Sequence, residues 1–305
     1  MLMQPPFSTV LKFDLLRVGL CQHAECAALR GGRFGKIDFP ALVGLIEHPQ
    51  HGLMLYDTGY SRHFFEATRR FPECLYRVVT PVRLSPEEEL LAQLEARGIA
   101  ARDIGTIFIS HFHADHVAGL RDFPSARFIA TAAERQKVEK KGRIGRLRRA
   151  YLRALLPADI DQRITLAETT PAVPLPHAWQ PFTHGHDLLG DASIIGIDLP
   201  GHAASQLGVA FRNETDGGHD TTFLIGDAAW KIEGLAQGRP PSRLAYSLFD
   251  SGRAYDATFA KLRALHLGGT GAARIIPSHC ATTWRELGGT RRVFRRASPP
   301  ELGPS

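Results

Sequence analysis

Four side chains able to hold a metal crowd into six residues, His111-Phe112-His113-Ala114-Asp115-His116, directly after the apolar run Thr106–Ser110. That run reads as a strand, which places the cluster at a strand's C-terminal end, where α/β folds carry their sites. At i, i+2, i+4 and i+5 in a loop, the four cannot all bond one ion without strain. They can divide between two neighbouring ions, and a polar surface loop has no need of such density. Two ions require more ligands, so further histidines and carboxylates are predicted at other strand ends. The chain has them: Leu199-Pro200-Gly201-His202, Leu224-Ile225-Gly226-Asp227 and Ile275-Ile276-Pro277-Ser278-His279. Each alone reads equally as a cap or turn residue; together they read as one centre. Imidazole and carboxylate donors without thiolate suit Zn²⁺, and Mn, Fe or Co can use the same set. Two ions about 3.5–4 Å apart share a water, lower its pKa toward ~7 and present it as hydroxide to a carbonyl or phosphoryl centre.

Short Val/Ile/Leu-rich runs alternate with helical patterns along the chain, the mark of a layered α/β fold. Besides 106–110, strands are predicted at Phe13–Leu20, Ala41–Glu47, Gly52–Tyr56, Arg127–Ala130, Ser193–Leu199, Gln206–Phe211, Thr221–Ile225 and Arg274–Ile276. Ser85-Pro86-Glu87-Glu88 opens a helix to about Arg97, with N-cap and first-turn proline in order. Ala254–His266 reads as another helix. The interval 131–160 reads as a helical insertion, one helix before Gly142 and a second, basic one after it, with Ile144, Leu147, Tyr151, Leu152, Leu155 and Leu156 at helical spacing. One domain over 1–288 is expected, followed by a disordered basic, proline-rich tail over 289–305.

The net charge of +6 looks like a nucleic-acid signal until it is located. Residues 135–153 carry nine Lys/Arg against one acid and 285–305 five against two, which leaves 23 basic and 28 acidic residues elsewhere. The body is slightly acidic, which argues against a nucleic-acid partner; the basic stretch reads first as a solvated face. Pro5, Pro6, Lys12, Asp14 and Arg17 rule out a signal-peptide apolar run, and no segment reaches membrane-spanning length. Four cysteines in 305 residues make no disulfide framework, so the chain is placed in the cytoplasm.

With these residues in place, the chain resembles the metallo-β-lactamase superfamily from about Gly44 to His279. The HxHxDH run is joined by the strand-end Leu55-Tyr56-Asp57-Thr58-Gly59, similar to that family's D-T-G. The resemblance implies an αββα sandwich of two similar halves with the metal site at one sheet edge. It implies that His111, His113 and His202 hold one ion, that Asp115, His116 and His279 hold a second, that Asp227 bridges, and that Asp57 orients a ligand histidine. Asp115 and Asp227 are the implied catalytic carboxylates, Asp115 as a proton relay. The chain is most similar to the N-acyl-homoserine-lactonase-like branch, which also allows a homodimer. It departs from that branch at Trp230, where those lactonases carry a tyrosine; an indole N–H donates a hydrogen bond but is no acid near neutral pH. The expectation is therefore a dinuclear zinc hydrolase of small-molecule esters, lactones or thioesters. The competing readings are a phosphodiesterase or nuclease of the same fold and a single-iron, persulfide-dioxygenase-like enzyme.

Three further groups complete the reading. His184-Gly185-His186-Asp187 looks like a second ligand cluster but is assigned to a surface loop. Cys21 and Cys26 read as two buried thiols, and Cys280 as a neighbour lining the pocket. Arg146 and Arg149 of the basic helix are assigned to the substrate pocket, as part of a lid or wall over the metals.

Overall fold

The computed structural model describes residues 5–140, 142–268, 273–288 and 294. Its strands are β1 (Val10–Ala24), β2 (Lys36–His48), β3 (Gly52–Tyr56), β4 (Val82–Arg83), β5 (Ile104–Phe108), β6 (Arg127–Ala130), β7 (Ile164–Leu166), β8 (Ala172–Pro174), β9 (His184–Asp187), β10 (Ile194–Asp198), β11 (Leu207–Thr215), β12 (Gly218–Leu224) and β13 (Arg274–Ile276). One sheet runs β7-β6-β5-β3-β2-β1, with β4 on the end of β1; the other runs β8-β9-β10-β11-β12-β13. They join where Val10 and Leu11 pair in parallel with Arg212 and Asn213.

Side-chain alternation along the central strands separates three apolar layers. Met54, Tyr56, Phe108 and Ile129 of the first sheet meet Ile194, Val209, Phe211 and Leu224 of the second, forming the layer between the sheets. Their strand neighbours Leu53, Leu55, Ile107 and Phe128 face the other way, onto Phe64, Leu94 and Phe123. On the outer face of the second sheet, Ile195, Ile197, Phe223 and Ile275 pack on Tyr255, Phe259 and Leu262 of the helix Gly252–Leu267. This is a helix-sheet-sheet-helix sandwich. Strands buried on both faces need apolar residues at every position, which is why they appear in the sequence as unbroken runs.

Several local expectations change. The helix predicted over 85–97 divides into a 3₁₀ turn, Pro86–Glu88, and the helix Leu90–Glu95, because Glu89 is extended (ψ 138°). The capping box Ser85/Glu88 does form. The second helix of the 131–160 interval is short, Arg143–Leu147, and Ala150 turns to φ +52°. There the carbonyl of Ala150 accepts a hydrogen bond from Ala114 N (2.9 Å), so a tertiary contact with the HxHxDH loop replaces continued helix. His184–Asp187 is no loop but β9, paired with β8 and β10. Four residues without apolar alternation carry no strand signal, and only the neighbours supply the hydrogen bonds. The predicted tail lies outside the described residues, except that Phe294 is buried against the first-sheet core.

What positions the site is the turn after β3. Asp57 takes φ +61°, and Thr58 donates from N and Oγ1 to the carbonyl of His116 (2.8 and 2.9 Å), tying this turn to the loop after β5. Gly59 follows at φ +66°, where a Cβ would stand 2.4 Å from Val18 Cβ. Gly59→Ala therefore adds backbone strain to a backbone-proximal clash and is expected to cost about 3 kcal/mol in denaturant unfolding. A loss under about 1 kcal/mol would show that the turn can relax around the methyl group.

Candidate metal centre

The seven residues predicted from strand ends come together at one edge of the sandwich. His111, His113, Asp115 and His116 follow β5, His202 follows β10, Asp227 follows β12 and His279 follows β13. His111, His113 and His202 form one group whose donor atoms lie within 4.8 Å of one another; His111, His116 and Asp227 form a second, and Asp115, His116 and His279 a third. Asp227 stands between them, with Oδ2 3.2 Å from His202 Nε2 and Oδ1 3.1 Å from His279 Nε2. Asp115 Oδ2 is 3.3 Å from His279 Nε2.

Bonds on the far side of three of the rings decide which nitrogen faces inward. His116 Nδ1 meets Asp57 Oδ2 at 2.7 Å, and Ser110 donates to both oxygens of Asp57 (2.8 Å from N, 2.8 Å from Oγ). His111 Nδ1 lies 3.0 Å from Ser110 Oγ, and His279 Nδ1 donates to the carbonyl of Pro40 (2.8 Å). Each leaves Nε2 for the site, whereas His113 presents Nδ1, 3.1 Å from His202 Nε2. Outer partners of this kind fix tautomer and orientation in metal-binding histidines. Asp57 stands behind His116.

Three of the inward atoms, His111 Nε2, His116 Nε2 and Asp227 Oδ1, are buried without a hydrogen-bond partner. An unpaired buried polar atom costs about 1–3 kcal/mol, and several converging on one point fit the cradle of a cation. Burial holds His111 well below the usual imidazole range and takes His113 to about 3 and His202 to about 4. Burial also works to lower His116 and His279. Asp115, Asp57 and Asp227 outweigh it at His116, raising it to about 10, and Asp227 with Asp115 lifts His279. The surroundings thus favour the neutral form of His111, His113 and His202 and the protonated form of His116 and His279, with whose protons a bound cation would compete.

A cavity of about 950 Å³ opens onto Asp115, Asp227, His113, His202 and His279. Trp230 lines it, and its Nε1 donates to Asp227 Oδ2 at 3.0 Å. Arg149 also lines it, with its guanidinium turned to the carbonyls of Leu248 and Phe249. Arg146 does not: the helix ends at Leu147, and Arg146 borders a separate cavity with Glu66, Glu73 and Tyr151. Cys280 turns away as well, its Sγ accepting from Ile232 N and Thr283 N at the start of the helix Ala281–Leu287. Cys21 is buried and Cys26 half-buried, and both border the main cavity. His186 pairs with Asp198 at the sheet surface, 3.4 Å away.

The sequence reading missed three supports. Ser110 holds Asp57 and His111 as described. Gln206 accepts from Asp227 N (3.0 Å) and donates to the carbonyl of Ile225 (2.8 Å). Glu134 is buried, accepts from Ala204 N (2.8 Å) beside His202, and is pushed by burial to about 7. Only Ser110, by its place before His111, offered any signal.

Several known proteins are similar to this chain in sequence or in fold. A probable metallo-hydrolase of Mycobacterium bovis is 28% identical over 219 residues, 71% of this chain; the chain spans 64% of that relative's length. The N-acyl homoserine lactonase AiiB of Agrobacterium fabrum is 26% identical over 227 residues, 74% of this chain and 75% of the lactonase. Among solved structures, AidC, a dizinc quorum-quenching lactonase in complex with a product, superposes with a TM-score of 0.61 at 16% identity, covering 97% of this chain and 95% of its own. Residues 37–279, from the beginning of β2 to the last of the seven strand-end residues, match the profile of the metallo-beta-lactamase superfamily, and the protein belongs to that superfamily.

Proposed function

We propose that the protein is a metal-dependent hydrolase that binds two divalent ions, zinc in the first instance, and cleaves an ester, lactone or thioester carbonyl of a small molecule. The observation that carries this reading is Asp227, whose two oxygens face His202 on one side and His279 on the other. That arrangement fits a carboxylate bridging two ions. His111, His113 and His202 would hold the first, and Asp115, His116 and His279 the second. When bound, two such ions supply a water of lowered pKa and polarise the scissile carbonyl.

The chain's own residues do the rest. Asp57 and Ser110 hold the His116 and His111 rings in place from behind. Asp115 is the less enclosed of the two carboxylates, 13% exposed against 5% for Asp227, and faces the cavity, where it can take up and pass on a proton. Trp230 engages Asp227 through its N–H, so no acidic hydroxyl is offered at that position. The lactonase names among the relatives support lactones as the first substrates to try. The four cysteines are free thiols, which supports a reducing, cytoplasmic setting, and no helix among the described residues is long and apolar enough to cross a membrane.

Elemental analysis is expected to find about two zinc per chain, with turnover on a panel of lactones, aryl esters and thioesters beside phosphodiesters. One iron per chain, or phosphodiester cleavage alone, would overturn the reading. Chelation is expected to lower the melting temperature by roughly 5 °C or more, because metal held only by the folded chain stabilises it by mass action. An apo protein that melts where the loaded one does would count against a preformed centre.

Asp227→Asn is expected to lose metal and activity together, kcat/KM falling at least about a hundredfold. Full two-metal occupancy in that variant would remove Asp227 from the bridge. Asp57→Asn keeps the shape but weakens the partner of His116, and metal affinity is expected to fall about 10–100-fold, read by competition with a chromogenic chelator.

A further inference from the structure

Exposed apolar side chains are concentrated at the mouth of the main cavity. Among the described residues nine large ones are exposed, and Phe34, Val79, Leu244 and Leu248 line the cavity at 91%, 68%, 87% and 53% exposure. Phe71, Leu75, Val78 and Ile144 stand on the same or adjoining segments, leaving only Leu267 elsewhere. The segments are 30–36, 69–80, 143–153 and 239–248, and hydrogen bonds join them in a row, 69–80 to 143–153 to 239–248 to 30–36. Arg143 pairs with Glu73 (2.7 Å) and donates to the carbonyl of Phe71; Arg149 donates to the carbonyl of Leu248; Arg239 donates to the carbonyl of Arg30 (2.9 Å), and Arg30 N to the carbonyl of Pro240 (2.8 Å).

The same four segments hold the chain's excess of positive charge, with Arg148 and Arg149 lining the main cavity and Arg69, Arg70, Arg143, Arg146 and Arg153 bordering the second cavity, which shares Leu147 with it. The four segments carry thirteen Lys/Arg and one acid, Glu73, which Arg143 already engages; the rest of the chain carries 24 basic and 30 acidic residues. We propose that this face docks on an anionic lipid surface, the apolar tips entering the headgroup layer while the arginines around them meet lipid phosphates. An apolar patch rimmed by cations is the chemistry of a peripheral membrane surface. A second copy of this chain fits less well, since a twofold contact sets one cationic rim against another. Nucleic acid would use the arginines but gives Val78, Val79, Leu244 and Leu248 nothing apolar to enter. Docking of this kind turns the cavity mouth toward the lipid, so an amphiphilic substrate reaches Asp115 and Asp227 from the layer. That last step rests on the hydrolase reading; docking itself does not.

The test is co-sedimentation of the full metal-loaded chain with vesicles of phosphatidylcholine alone and of phosphatidylcholine with roughly one-third phosphatidylglycerol. Binding is expected only to the anionic vesicles and is expected to weaken as salt rises. Leu244→Asp or Val79→Asp should lower partitioning about tenfold or more, and Arg243→Ala about fivefold, with metal content unchanged. Equal binding to both vesicles, binding to neither, or insensitivity to these substitutions overturns the proposal. So does a dimer in solution that Leu244→Asp dissociates, which would assign the face to a second copy. Because vesicle binding is read without turnover, its failure leaves the hydrolase reading standing, and an inactive chain that still binds leaves docking standing.

Discussion

Burying Asp227 between two histidines is the constraint on which the rest of this fold turns. A carboxylate nearly removed from water costs several kcal/mol unless charge and hydrogen bonds compensate it. Here His202 and His279 meet its two oxygens, Trp230 donates to one of them, and Gln206 holds its backbone N–H. Those partners arrive from β10, β11, β13 and the turn after β12, so the second sheet must be complete before the site exists. His116 extends the same network to the first sheet, 3.4 Å from Asp227 Oδ1 on one side and bonded to Asp57 on the other. Assembly of the two sheets and assembly of the centre are therefore coupled, and a metal bound there would contribute directly to folding.

The network also explains why the turn after β3 is so tightly specified. Asp57 reaches His116 only because its backbone enters the left-handed region, and Thr58 and Gly59 then bind the turn to the His116 carbonyl and to Val18. A D-T-G at a strand end is thus a positioning device: the carboxylate aims one imidazole, the hydroxyl pins the adjoining loop, and the glycine admits a neighbouring strand. Across the cavity, Arg149 performs a comparable task by holding the 143–153 segment against the carbonyls of residues 248 and 249. The cavity is lined by residues of these two segments and by Cys21, His23 and Phe39 of β1 and β2, so loops and sheet both shape it.

How much of this was legible in the sequence follows from the range of each interaction. Doubly buried strands such as Gly52–Tyr56, Arg127–Ala130 and Arg274–Ile276 appear with their observed limits, because burial on both faces demands continuous apolar residues. The four-residue β9 does not appear, since its only support is hydrogen bonding to β8 and β10. The helix expected after Gly142 stops at Leu147 because Ala150 bonds to Ala114, a contact with no local trace. That break is also why Arg146 and Arg149, three residues apart and expected on one face, border different cavities.

The sequence by itself pointed to the superfamily and to seven His and Asp residues that the fold brings to one edge, because particular side chains at strand ends are written locally. Only the tertiary structure decided which nitrogen of each histidine faces inward, that Ser110 and Gln206 hold the centre from behind, and that Phe34, Val79, Leu244 and Leu248 from three separate stretches of chain line one cavity. Those features depend on groups far apart in the chain being brought within a few ångströms, and no local pattern encodes a distance across two sheets.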